Sequence, residues 1–310
     1  MYREVVGLMN FSEGAIIGVL LLIPAIAAFI IDLKNEDNGN VSTVTKKYVI
    51  EKNRTRDIFS YIICIVTIIL ISLPILAFMY LSVVKQYPID SSFSLDNIKS
   101  AFDLGVGMYL KTSLAIALLT SFVGTATTYF IAYLTSRSGK DISTMVLHLI
   151  SMVSLAIPGI VLGLSYVLFF KGSFLYGTIG MLVLVNTIHF FASPYLMAYN
   201  SLSKFNANME DISMSLGIQR WRMIKDVYVP CTQRTIIEMF SYIFVNAMIT
   251  ISAVSFLANF RTMPLALLIP QFDSQALLEE TAFISVIILV INGIMKLGVY
   301  ILKRKLEKVE

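Results

Sequence analysis

Cysteine, histidine and charge are all scarce in this 310-residue chain. Two cysteines and two histidines exclude a disulfide framework and leave no cluster with metal-ligand spacing. Cys64 lies inside an apolar run and Cys231 in a loop, and both read as ordinary thiols. There is no His-Glu-x-x-His pattern, and acids inside the apolar runs are almost absent apart from Glu238. An intramembrane enzyme would therefore lack its nucleophile and base, its paired carboxylates or its metal. No Gly-x-x-x-x-Gly-Lys-Ser/Thr phosphate loop occurs, so the chain does not bind ATP by that route. Charged residues make up only 14%, against 57% hydrophobic, a balance that argues against an ordinary soluble domain. The net charge of +4 is not gathered into a basic patch interleaved with aromatics, and nucleic acid is not an expected partner.

What the chain has instead is long apolar runs. A bilayer core about 30 Å thick needs roughly 20 apolar residues per helical crossing. Seven stretches meet that length: Phe11 to Ile31, Ile58 to Val84, Thr112 to Thr135, Ile142 to Phe170, Phe174 to Tyr199, Ile236 to Asn259 and Thr281 to Leu302. Helices are expected, because each segment must satisfy its own backbone hydrogen bonds in hydrocarbon. The first run is long and has no small-residue cleavage site, so it reads as a helix rather than a signal peptide. The expected class is an all-α polytopic membrane protein.

The loops set the orientation. Placing residues 32–57, 136–141, 200–235 and the C-terminal tail on one side collects seventeen cations, against six opposite. The positive-inside rule then puts the N-terminus outside and the C-terminus in the cytoplasm. The chain divides into an extra transmembrane helix over residues 1–33, a basic cytoplasmic linker over 34–57, and a six-helix block over 58–310. The sequons at Asn40 and Asn53 are cytoplasmic and unused on this reading. In the external loop, a short interfacial helix is expected near Leu95 to Phe102.

The internal loop 200–235 is long and has a helical pattern of its own. Asn208 can cap a helix whose first turn holds Glu210 and Asp211, acids suited to the helix dipole. Gly217 suits the left-handed turn that ends it. Ile218, Trp221, Ile224 and Val227 then form an apolar stripe opposed by Arg220, Arg222, Lys225 and Asp226, and Pro230 stops the second helix. The expected product is a rigid cytoplasmic knob anchored at the membrane surface through Trp221 and Tyr228. An interfacial helix pair without a partner is the plainer alternative.

This stretch resembles the signature loop of binding-protein-dependent ABC importer permeases: an acid, two small residues, a glycine six positions after the acid, and further on two aliphatic residues and a proline. Here these are Asp211, Ile212, Ser213, Gly217, Val227, Val229 and Pro230, at the family's spacing. Asp211 replaces the usual glutamate, Ile212 and Ser213 the usual alanine pair, and Cys231 an aliphatic residue. A weaker match, Ala156 to Gly163, is similar to the iron(III), polyamine and 2-aminoethylphosphonate branch. The resemblance implies a six-helix permease core with one helix added, sited in a bacterial plasma (inner) membrane, and a substrate of one of those three kinds. It also implies four partners: a dimer of ABC ATPase subunits, a second permease subunit, an extracytoplasmic substrate-binding protein and the lipid bilayer. ATP and Mg would be bound by the ATPase, leaving no cofactor in this chain. The helix around Asp211 to Leu216 would seat on the ATPase. The first helix resembles the closing helix of the first unit in fused members, in keeping with descent from a split or truncated tandem.

Within the spans, Pro158 removes a helical hydrogen bond, and Gly159 and Gly163 permit close approach, so a kink lining a pathway and plain helix packing are both open readings. Asn186, Thr187 and His189, with Asn246 on the sixth span, are candidate pathway residues, interhelical hydrogen bonding being the alternative. Lys296 is expected to snorkel to the cytoplasmic surface. An ion-gradient-driven secondary transporter is the competing function.

Overall fold

A computed structural model of the chain describes residues 11–35, 53–139, 141–206 and 208–307. Most of the 34–57 linker, with Asn40, and also Lys140 and the extreme termini lie outside the described residues. The elements are α1 (Phe11–Asn35), α2 (Arg54–Leu81), β1 (Val84–Gln86), β2 (Asp90–Phe93), α3 (Asp96–Asp103), α4 (Val106–Arg137), α5 (Ile142–Met152), α6 (Gly159–Phe170), α7 (Ile179–His189), α8 (Ala192–Leu202), α9 (Met209–Ser215), α10 (Arg220–Met223), α11 (Val229–Cys231), α12 (Gln233–Ile249), α13 (Leu268–Asp273) and α14 (Leu278–Glu307).

Helix α4 is the hub, packing against α7, α8 and α12. Its buried positions explain why: Ser113, Ala117, Thr120, Ser121, Gly124, Thr128 and Ala132 are small, so neighbouring backbones approach closely where lipid offers no hydrophobic drive. The hydroxyls of Ser121 and Thr128 bond to carbonyls four residues back, at 2.6 Å each, and stay satisfied without water. By contrast, no residue of α2 is buried, although beyond its charged first turn it is largely apolar, as suits a helix bathed in lipid.

Three described helices, α2, α4 and α14, are long and apolar enough to cross a membrane, and two bent pairs bring the number to five. The predicted span Ile142–Phe170 is not one kinked helix. A 3₁₀ turn at Val153–Leu155 and the break before Gly159 set α5 with the turn that follows it at 107° to α6. Pro158 sits in extended conformation (φ −58°, ψ 134°) as the residue ahead of α6 rather than inside it. The fifth predicted span bends by 54° between α7 and α8.

The sixth predicted span also stops early. Helix α12 ends at Ile249, and the chain runs through turns to a 3₁₀ turn at Leu265–Leu267. Irregular backbone at membrane depth is tolerated only inside protein, and Ala253, Val254 and Leu257 are indeed buried. Outside the helices, β1 and β2 form an antiparallel hairpin that the sequence did not announce. The short helix near residue 95 is present as α3. Both are tied to the N-terminus of α14: Glu279 accepts from the Tyr87 backbone N–H at 2.7 Å and Glu280 from the Ser100 hydroxyl at 2.9 Å. Two nearly buried carboxylates are tolerable there because donors and a helix N-terminus face them.

Candidate functional site

The chain between α8 and α12 folds into a compact knob. Helix α9 ends in a paired reverse bond, Gly217 N–H to the Met214 carbonyl at 3.1 Å and Ile218 N–H to the Ser213 carbonyl at 2.8 Å. That closure needs a left-handed residue, and Gly217 supplies it with φ 69°. Ser213 is buried and its hydroxyl bonds to the Glu210 carbonyl. Asp211 is exposed, as are Ile212, Met214, Leu216 and Trp221; Leu216 is 69% and Trp221 65% exposed. Four large apolar side chains thus stand in the open around a short, stiff turn.

Three details differ from the sequence reading. Asn208 makes no side-chain cap bond, because it already adopts helical backbone angles. Tyr228 is not a surface anchor: it is fully buried, packed edge-on against Phe205 at 5.2 Å, and donates to the Glu210 carboxylate. Nor does Pro230 stop a helix. Residues Ile224–Tyr228 form a π turn in which Val229 N–H bonds to the Ile224 carbonyl, five residues back. This wider turn delivers Pro230 to the first turn of α11, where its missing N–H is no loss. The buried face of this segment is accordingly Met223, Ile224 and Tyr228, while Ile218 and Trp221 of the expected stripe stay exposed. Val227 is half-buried and Val229 is 36% exposed.

The knob is held to the bundle by an apolar cluster of Met223, Ile224 and Tyr228 with Tyr133, Tyr195 and Leu202, and by Arg137, the last residue of α4. Its Nε donates to Glu210 Oε1 at 2.8 Å and its Nη2 to Glu210 Oε2. The same guanidinium reaches the Phe205 carbonyl at 2.9 Å and the Asn206 carbonyl at 2.7 Å, and it lies 5.5 Å from the Tyr228 ring centre. The Arg137 side chain is 4% exposed. One planar fork therefore joins α4, the end of α8 and α9, a geometry lysine cannot copy. Partial burial works to raise the Glu210 pKa, but the bonds from Arg137 and Tyr228 outweigh it and hold the carboxyl below its ordinary value. The tie is accordingly intact above the ordinary carboxylate range and loosens only as pH falls through the lowered value. Sequence reasoning assigned Glu210 to the helix dipole and Arg137 to topology; 73 residues apart, they carry no local signal of pairing.

The candidate pathway residues are partly brought together. A Cβ on Gly159 would lie 2.5 Å from the Ser252 hydroxyl and 2.8 Å from His189 Nε2, and one on Gly163 would lie 2.6 Å from the Ala253 carbonyl oxygen. Gly159, His189 and Ser252 thus meet at the start of α6, just beyond Pro158. Asn186 is fully buried, and among the described residues neither of its amide atoms has a partner, nor do the buried Thr187 Oγ1 and His189 Nδ1. Asn246 is not drawn into this group through its amide nitrogen, which bonds to the Tyr242 carbonyl on its own helix at 2.8 Å. Thr120, Thr125 and Ser241 on α4 and α12 add buried hydroxyls without partners among the described residues, which carry no signal in sequence because single hydroxyls in apolar runs are commonplace.

No protein-family model matches the chain. A Haemophilus influenzae protein named as a ferric transport system permease, FbpB 1, is 26% identical over 187 residues, which is 58% of this chain and 29% of that protein. The chain therefore spans less than a third of the length of its curated relative. Two crystal structures of a bacterial alginate ABC transporter, one in complex with a periplasmic protein carrying an alginate pentasaccharide, each match with TM-score 0.66 at 14% identity. Each covers 81% of this chain and 96% of the matched one. The chain thus shares its fold with a chain of that alginate ABC transporter. By sequence it is similar, over those 187 residues, to the Haemophilus influenzae ferric transport system permease.

Proposed function

We propose that this chain is the membrane permease of an ATP-driven importer, moving substrate by alternating access under the control of a separate ATPase dimer. The observation that carries this reading is the knob: Ile212, Met214, Leu216 and Trp221 exposed around Gly217, on a base bolted to α4 through Arg137 and Glu210. An apolar, stiff protrusion is a face for a partner, and the fork behind it turns a push on α9 into a push on the hub helix. Nucleotide binding can shift the access equilibrium only by its differential affinity for two arrangements of the ATPase, so the linkage between them must be rigid. Asp211, Ile212, Ser213, Leu216 and Gly217 are assigned to coupling, with Val227, Val229 and Pro230 shaping the base of the knob.

On the same reading ATP and Mg sit in the ATPase. A second permease chain, identical or homologous, completes the pathway, and an extracytoplasmic binding protein delivers substrate. The knob and the C-terminus face the cytoplasm, and α1 stands outside the six-helix core. Pro158, Gly159, Gly163, Asn186, Thr187, His189 and Asn246 are the pathway candidates; the unpaired polar atoms of Asn186, Thr187 and His189 support that use. Resemblance to the iron(III), polyamine and phosphonate branch makes those the substrate classes to try, iron(III) first. An ion-gradient-driven carrier would have no use for such a knob.

The test is to replace Ile212 and Leu216 together with aspartate in the complex purified with its ATPase. Both are exposed, so the fold should shift by no more than about 0.5 kcal/mol. The expected result is loss of ATPase co-purification and a fall of more than about tenfold in substrate-stimulated hydrolysis, the size of one lost anchor patch. Unchanged co-purification and stimulation would refute the assignment.

A further inference from the structure

A groove of about 650 Å³ runs along the C-terminal half of α14, closed by α8 and α12. Lys296, Lys303 and Arg304 line it, seven and eight residues apart and so near one face of the helix. Its two acids are already engaged, Glu238 by Lys303 and Glu307 by Arg234 at 3.7 Å. Lys296 and Arg304 have no carboxylate partner among the described residues, so the groove keeps an excess of positive charge.

Its depth is set by the chain itself. Helix α12 begins just after the knob, α8 ends just before it, and the Arg234–Glu307 contact joins the base of α12 to the end of α14. The groove therefore opens at the headgroup level on the knob's side of the membrane. Lys296 lies about 12 Å deeper along the helix than Arg304, eight residues at about 1.5 Å each. Its stem can snorkel back toward the charged end, over Val299 and beside Met197 and Tyr300. Cations along the groove with Val299, Met197 and Tyr300 as apolar wall between them suit the two parts of a phospholipid, a phosphate and the start of an acyl chain.

We propose that this groove binds an anionic phospholipid, its phosphate held between Arg304 and Lys296 and an acyl chain lying on Val299 and Met197. The site rests on the chain spanning a membrane and not on its coupling to an ATPase.

Native mass spectrometry of the full-length chain in detergent, with phosphatidylglycerol, phosphatidylcholine or sn-glycerol 3-phosphate added, tests it. Wild-type chain should retain phosphatidylglycerol selectively, and Lys296→Gln with Arg304→Gln should weaken retention by roughly tenfold to thirtyfold, the loss of two cation–headgroup contacts. Arg222→Gln with Lys225→Gln, exposed on the knob, should change nothing. Val299→Trp, which crowds the apolar wall while keeping every charge, should weaken retention as well, and it stands in if the charge variant misfolds. Equal retention of phosphatidylcholine, saturation by glycerol phosphate alone, or retention untouched by both groove variants would overturn the proposal. So would absence of the lipid from the complete transporter, which would mean that a protein face covers the groove.

Discussion

Replacing Arg137 with alanine should leave the chain in the membrane, keep the ATPase bound, and abolish substrate-stimulated hydrolysis. The substitution strips Glu210 of its bidentate partner and the Phe205 and Asn206 carbonyls of their donor in one step. Removing one member of a fully buried ion pair typically costs about 3–5 kcal/mol, because the other charge is left uncompensated, and Glu210, being only partly buried, sets the loss below that range. The bundle has other contacts to spare, so this loss falls on the hinge between knob and α4. Lysine at the same position keeps the charge but not the fork, and should restore only part of the coupling. Replacing both Arg137 and Glu210 with methionine removes the stranded charge, and should recover thermal stability more fully than coupling. Transport by the alanine variant at the wild-type rate would show that force takes another route.

The second large effect is expected at Gly163. A methyl group there would sit 2.6 Å from the Ala253 carbonyl oxygen and 3.2 Å from its carbon, both backbone atoms that no rotamer change can move aside. Helix α6 and the irregular segment after α12 would have to separate. Gly163→Ala should therefore cost at least about 2–3 kcal/mol, at the upper end of overpacking losses. A control is at hand in Gly293 on α14, where an added Cβ meets nothing within 4 Å. Alanine there should be neutral or stabilising by up to about 1 kcal/mol, since glycine is the weaker helix former. Thermal melts of the two detergent-purified variants compare them directly, and equal melting temperatures would contradict this account of the α6 contact.

Both expectations concern features that the sequence discloses unevenly. Gly217 was legible because only a left-handed turn makes sense of a lone glycine between two helical patterns, and its φ of 69° agrees. Pro230 differs from expectation for a physical reason: the π turn ahead of it shifts the hydrogen bonds by one residue and sets the proline in the first turn of α11, where it has no N–H to lose. The break at Pro158 was visible as a kink, but its 107° angle depends on where α7 and the segment after α12 pack.

The turns after Ile249 were invisible. Ile251, Ala253, Val254, Phe256 and Leu257 are as apolar as any helix, and buried irregular chain and helix look alike to a hydropathy window. The fork of Arg137 on Glu210 was equally hidden, being a contact between residues far apart in the chain. Its members could be seen as charges at loop edges and nothing more.

The central claim is that the turn at Gly217 is a cytosolic handle gripped by a nucleotide-hydrolysing partner. The most direct measurement places a single cysteine at Leu216, after replacing the exposed Cys64 and Cys231 with serine. Labelling is then followed with a membrane-impermeant thiol reagent in sealed right-side-out and inside-out vesicles, with and without the ATPase subunit. The account predicts labelling only from the cytoplasmic face, strong protection when the ATPase is bound, and a cross-link to that subunit with a short bifunctional reagent. Labelling from the outer face, or labelling from the inside that the ATPase leaves unchanged, would contradict it.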